Sequence, residues 1–353
     1  MKGFAHVGVL RALEERGIRP TVYAGTSIGA LIAAAAVGGM SVDEIARRAE
    51  SLRRHDLFRI NHLGMLMERM HSPSIYLGEP LRNMVEEVAP AGTFRDLPAP
   101  LLVNTVDLRR ATRVVWGLPG LQDVSVRDAV YGSCALPGFF PPGDVGGRVC
   151  VDGGVIDNLP AAAAGLGMDA VIAVDVGSSD VRPLPRIGTQ GFAAIYMRSA
   201  TTMMHHLQLQ PLRQWSGPPM LLIRPKVDSH WLSFAHSEQN IREGYRATTK
   251  ALEHIEAYLE QPSGVYPRKR MHLHVVREEC IKCGLCVALA PDTMMFHADG
   301  TAVPKEEIVE WAAADGDFVY HCPTRAIKAT RLDLVTPGAA DDERDDGEHV
   351  LVS

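Results

Sequence analysis

Residues 23–36 read YAGTSIGALIAAAA. A short β-prone stretch, Thr21 to Ala24, hands over at Gly25-Thr26-Ser27-Ile28-Gly29 to an uncharged, alanine-rich run of helical composition. A helix that is apolar on every side belongs in a protein interior. A strand feeding such a helix through small residues is an α/β signature, and alternation of the same kind continues to residue 260. His6 to Arg16 has helical spacing and stops at Gly17. Ser41 with Glu44 and Ser125 with Asp128 are capping boxes, the first starting a helix through Arg54 and the second a short helix towards Ser133. Leu101 to Leu108 and Arg113 to Trp116 read as strands around the polar turn Arg109-Arg110. Ala170 to Val176 reads as a strand covered on both faces, and Asn240 to Leu259 as one long amphipathic helix. The expected fold is α/β with a mostly parallel sheet.

The 353 residues, 46% hydrophobic and 22% charged, suffice for one large domain and a small one. A net charge of -6 disfavours a broad nucleic-acid surface, which needs a basic stripe. No apolar run reaches the ~20 residues of a membrane helix, and Met1-Lys2-Gly3-Phe4 does not open a secretory signal. The expectation is a cytoplasmic protein. At residue 261 the character changes: QPSGVYPRKR, 261–270, reads as a linker after a domain spanning 1–260. A second compact unit is expected over 271–332, followed by an acidic tail at 333–353 with the composition of a disordered segment.

A serine hydroxyl becomes a nucleophile only when it is positioned, relieved of its proton and given donors for the oxyanion it creates. Gly25-Thr26-Ser27-Ile28-Gly29 fits a tight strand-to-helix turn with Ser27 at its apex and the Ile28 amide as an oxyanion donor. The plainer reading is a tight turn with an incidental serine. Further on, VDGGVIDNLP at 151–160 places Asp152 at a strand end before two glycines. That carboxylate is suited to approach a serine, or else closes an ordinary Asx turn.

Four segments taken together resemble the patatin-like phospholipases: KGFAHVGVLRALEERGI at 2–18, GTSIG at 25–29, SCALPGFFPP at 133–142 and DGGVIDNLP at 152–160. The resemblance implies a patatin-like layered α/β domain that hydrolyses acyl lipids with a dyad of Ser27 and Asp152. Asp152 then acts as general base, which calls for a sheltered site that raises its pKa from ~3.9. The resemblance also implies a first strand and a loop Gly-Gly-Gly-x-(Lys/Arg)-Gly ahead of the first helix. This chain opens at the x, leaving Lys2 and Gly3 to serve the oxyanion hole beside Gly25, Ile28 and Gly29. Two explanations stand: a start codon assigned too far downstream, or an incomplete oxyanion hole. Phe139 and Phe140 would border an apolar mouth or pack into the core. His205-His206 reads as helix surface or packing, and Cys150 as a buried structural thiol.

CIKCGLC at 280–286 sets Cys280, Cys283 and Cys286 at C-x2-C-x2-C spacing, and HCPTRAI adds Cys322 before Pro323. Three close thiolates and a remote Cys-Pro can hold an iron-sulfur cube; four cysteines around zinc are the alternative. The unit resembles a small bacterial ferredoxin of α+β type with one [4Fe-4S] cluster, and EEIVEWAAA reads as its helix. Two whole-protein readings result. The first is a serine lipid acyl hydrolase fused to an iron-sulfur electron carrier, with a lipid or acyl-ester substrate, a redox partner protein and peripheral membrane contact as an option. The second is an electron-transfer or redox-sensing protein whose α/β domain only binds lipid or a partner.

Overall fold

The computed structural model describes residues 1–62, 74–177, 187–227, 234 and 236–332, without the side chains of Phe192, Ala193 and Met197. The tail at 333–353 lies outside the described residues. The chain divides into two compact units, 1–211 with 216–264, and 212–215 with the residues from 265 on.

In the first unit α1 (Ala5–Glu15) ends before Gly17, whose φ of 69° closes the turn towards β1 (Tyr23–Thr26). The alanine-rich run forms α2 (Ile28–Val37), of which Ala30 to Ala35 and Val37 are buried. Helix α3 (Val42–Ser51) is capped by Ser41, whose Oγ accepts the Glu44 N–H at 3.2 Å. It stops short of Arg54 because Leu52 turns extended, and α4 (Arg54–Leu57) restarts the helix. The following elements are α5 (Glu79–Val88), β2 (Leu101–Asp107), β3 (Thr112–Trp116) and α6 (Val126–Cys134). Next come β4 (Gly143–Val145), β5 (Arg148–Asp152), α7 (Ala161–Ala164) and β6 (Val171–Val174). Helix α8 (Phe192–Arg213) and β7 (Met220–Ile223) precede α9 (Ser237–Leu252) and α10 (Ile255–Leu259). The single helix expected over 240–259 is thus two. At its break the Glu253 N–H bonds Lys250 O, a tightened last turn that ends α9.

The expectation of a mostly parallel sheet is corrected. β1 pairs parallel with β2, but β2 runs antiparallel to β3 and β5, and β4 is antiparallel to β5. The cause is local. Two short connections make hairpins, and a hairpin can only join antiparallel strands; the β4–β5 turn uses Gly146 and Gly147, both at positive φ. β6 and β7 form a separate parallel pair. β6 alternates between buried and half-buried residues, so it is less covered than expected.

The register of β2 positions the site. Along one edge, Asn104 faces Thr26 at the end of β1, and the next residue, Thr105, faces Asp152 at the end of β5. One strand runs with β2 and the other against it, so their C-terminal ends meet. Beneath this seam Val103, Trp116, Val126, Val130 and Val145 pack with α2 in one core, joined by Phe140 and, at its margin, Phe139.

The second unit contains β8 (Val265–Tyr266), β9 (Lys269–Val275), α11 (Leu285–Leu289), β10 (Met294–Phe296), β11 (Ala302–Pro304), β12 (Ile308–Trp311) and β13 (Ile327–Arg331). Part of the stretch expected as linker is therefore strand. β9 is the centre of an antiparallel sheet with β12 and β13, and β10 pairs with β11. The expected helix in EEIVEWAAA is instead β12. Its pairing with β9 and the burial of Trp311 outweigh the helix propensity of Glu and Ala. Met271, Leu273, Met294, Trp311, Phe318 and Ile327 form this unit's own core. Among the described residues no helix is long and apolar enough to cross a membrane.

Candidate active site and cysteine cluster

Ser27 stands between β1 and α2 with φ 55° and ψ -128°, a strained conformation for a residue with a Cβ. Gly25 permits the tight return, since a Cβ there would fall 2.5 Å from the Ala30 nitrogen. The Ser27 carbonyl accepts the Ala30 and Leu31 N–H groups at 2.9 and 3.1 Å. On the other side the Ser27 N–H donates to Ser133 Oγ at 2.9 Å. The amides of Ile28 and Gly29 begin α2, where helix geometry provides no intrahelical acceptor. Gly3 lies against the same turn, because a Cβ on it would fall 2.4 Å from Ile28 Cγ2. Lys2 is buried and lines the same cavity as Ser27.

Ser27 donates its hydroxyl to Asp152. Asp152 is buried, and its Oδ1 also accepts the Gly154 N–H at 2.8 Å. Burial pushes its carboxyl up to about 6, against the bonds from Ser27 and Gly154, which favour the ionised form. Gly153 lets the turn pass β2, since a Cβ would fall 2.4 Å from Asn104 O.

Residues not singled out in the sequence complete the site. Asn104 donates its Nδ2 to Asp157 O at 2.6 Å, which leaves its Oδ1 without a partner among the described residues. Thr26 Oγ1 donates to the same carbonyl at 3.3 Å, and Arg113 on β3 pairs with the Asp157 carboxylate. His6 lines the cavity near Gly29; burial drives its imidazole down to about 4 against the pull of Asp175. It is therefore neutral at pH 7. The quoted segments contained Ser133, Asp157 and His6, but nothing in residue spacing gives them a partner.

Residues 1–164 match the family model described as Patatin-like phospholipase. The matched stretch, just under half of the chain, is similar to patatin-like phospholipase domains. Relatives agree along comparable lengths. An uncharacterized NTE family protein of Mycobacterium bovis is 33% identical over 183 residues, 52% of this chain and 48% of that protein. Patatin-like phospholipase domain-containing protein 6 of Homo sapiens is 31% identical over 191 residues, 53% of this chain and 13% of its own length. Lysophospholipase NTE1 of Mycosarcoma maydis is 34% identical over 185 residues, 51% of this chain and 9% of its own. The chain thus spans about half of the mycobacterial relative and a small part of the two longer ones.

The first unit opens beside Ser27 and Asp152 into a cavity of about 660 Å³. Ser27, Ile28, Asp152, Phe58, Phe140 and Met204 line one part of it, and Val9, Leu13, Ile172, Val174, Ile255 and Leu259 another. β1 and β6 face this space, and each has one strand neighbour. Phe140 is both core and cavity wall, so the two roles considered for it coincide. Cys134 and Cys150 are buried, and burial raises both thiols. His205 and His206 stand on α8 with ring centroids 5.8 Å apart.

In the second unit Cys286 is buried at the start of α11, and Cys280 and Cys322 pack against the same core; Cys283 is exposed. Burial raises the Cys286 thiol, and the nearby Cys322 and Cys280 raise it further. At Cys322 burial is outweighed by bonds from the Thr324 hydroxyl and from the Ala326, Thr324 and Ile327 amides, so its thiol lies below the ordinary range. Both cysteine loops contain positive-φ residues: Lys282 at 59°, Gly284 at 74° and Arg325 at 58°. Turns of this kind gather backbone N–H groups into concavities suited to thiolates and anionic clusters.

Proposed function

We propose that the patatin-like domain is a serine hydrolase of acyl-lipid esters. One observation carries the reading: a strained serine whose hydroxyl bonds a buried, proton-attracting aspartate at the head of an apolar cavity. Ser27 Oγ attacks the ester carbonyl while Asp152 takes its proton. The Ile28 amide, at the positive end of α2, faces the developing oxyanion, with Lys2 and Gly3 beside it. Collapse breaks the carbonyl–alkoxy bond, and Asp152 returns the proton to the leaving alcohol. Water, deprotonated by Asp152, then attacks the Ser27 acyl ester; the fatty acid leaves and Ser27 recovers its proton. The cavity volume lies within the usual range for small-molecule sites, and its apolar walls suit an acyl chain.

Peripheral contact with a lipid surface belongs to the same reading. α8 turns Thr201, Met204 and Gln208 to the cavity and exposes Ile195, Tyr196, Met203 and Leu207. No acidic residue occurs between Phe192 and Arg213. That pattern suits an interfacial helix.

We further propose that Cys280, Cys283, Cys286 and Cys322 hold a [4Fe-4S] cluster. The donor set fits, with one thiol buried, two beside it in the core and amide-rich turns around them. When bound, such a cluster supplies one-electron transfer, which calls for a redox partner protein. Zinc is the competing occupant. Ser27→Ala and Asp152→Asn test the hydrolase reading: each should lower hydrolysis of a p-nitrophenyl acyl ester and of lysophospholipid by at least about 10³-fold. Turnover by Ser27→Ala at the parent rate would leave the electron-carrier reading, with a domain that only binds lipid.

A further inference from the structure

We infer that Ser133 is a positioning residue for the nucleophile, a role that deepens the hydrolase reading and rests on it. Ser27 holds its positive-φ conformation only while its surroundings over-determine it. Its carbonyl side is fixed by main-chain bonds from Ala30 and Leu31. Its amide side depends on a side chain, Ser133 Oγ at 2.9 Å. Ser133 is fully buried near the C-terminal end of α6, and its own hydrogen goes to Asn104 O at 2.7 Å. A hydroxyl has one hydrogen, so this bond commits a lone pair to the Ser27 amide. The acceptor therefore has a defined direction as well as a position.

The anchor point gives this bond its consequence. Asn104 is the β2 residue facing Thr26, and its neighbour Thr105 faces Asp152. Ser133 thus ties the amide of the nucleophile to the strand that sets the separation of the two catalytic residues. It does not line the cavity, so it acts on turnover through Ser27 and leaves substrate binding alone.

The test compares Ser133→Ala, which removes the acceptor, with Ser133→Thr, which keeps the hydroxyl, and Ser133→Cys, which fills the site with a slightly larger group that is a poor acceptor. Per folded molecule, Ser133→Ala and Ser133→Cys should lose roughly 10- to 100-fold in kcat, the range expected when one buried donor is left unpaired. KM should stay within about twofold, and Ser133→Thr should recover most of the rate. Hydrogen exchange of the peptide around Ser27 should accelerate in the same two variants, a readout that needs no turnover. Should Ser133→Ala fail to fold, Ser133→Cys decides. Unchanged kcat and unchanged exchange at Ser27 in the folded variants would overturn the inference. If hydrolysis by the parent chain does not depend on Ser27, the hydrolase reading fails on its own, and exchange still decides whether Ser133 holds the turn.

Discussion

In the proposed mechanism, burial is what would make Asp152 a usable base. An ordinary carboxyl near 3.8 is a poor acceptor for a serine proton, whereas one at about 6 is ionised at pH 7 and still basic. kcat/KM should therefore rise with pH through a midpoint near 6. His6 titrates near 4 and does not contribute there. An acid limb centred at 4 would place the base elsewhere. The same shift has a stability consequence. The folded state keeps the Asp152 proton up to about 6, while an unfolded chain releases it near 3.8. Between those values the folded state binds more protons, so the stability due to Asp152 falls as pH rises through that window. Asp152→Asn should therefore melt higher than the parent at pH 8, by roughly 2–4 °C for each kcal/mol of relieved burial. The difference should shrink below pH 4. Scanning calorimetry at both pH values checks it.

Among the elements, α8 carries apolar residues in two different settings: Met204 faces the cavity, and Met203 and Leu207, one turn apart, face out. Fully burying such a side chain is worth about 1.5–3 kcal/mol, so two of them dominate a weak interfacial contact. Met203→Glu with Leu207→Glu should weaken binding to anionic phospholipid vesicles at least about 10-fold, and leave hydrolysis of a soluble short-chain ester within about twofold. Sedimentation with vesicles measures the first and a chromogenic assay the second. Equal vesicle binding by the double variant would remove α8 as the contact surface. The α2 turn shows how much of an element's position is local. Gly25 and the alanine run make the bend and the burial readable in sequence, yet the partner across the seam comes from β5, more than a hundred residues later.

For the whole molecule the decisive measurement concerns the second unit. The 353-residue chain prepared anaerobically should be brown and carry close to four irons. Cys280→Ser, Cys283→Ser, Cys286→Ser and Cys322→Ser should each remove the cluster signal. Cys134→Ala and Cys150→Ala should keep it, since both thiols are buried in the first unit. Zinc without a visible charge-transfer band would refute the iron-sulfur assignment and make the unit structural. Cys286→Ser that keeps its ester hydrolysis would show that turnover does not need the cluster.

The sequence by itself determined whatever depends on neighbouring residues. Gly25, Ser27 and the alanine run fix a turn and a buried helix; Ser41 and Ser125 mark helix starts; the cysteine spacing groups four thiols in one unit. Only the tertiary structure decided which distant groups meet. Thr26 and Asp152 come together because β1 runs with β2 and β5 against it, an arrangement no local pattern encodes. The mixed sheet, the strand in EEIVEWAAA and the Ser133 bond to Ser27 share this origin. Pairing and burial between segments far apart in the chain outweighed what each segment prefers alone.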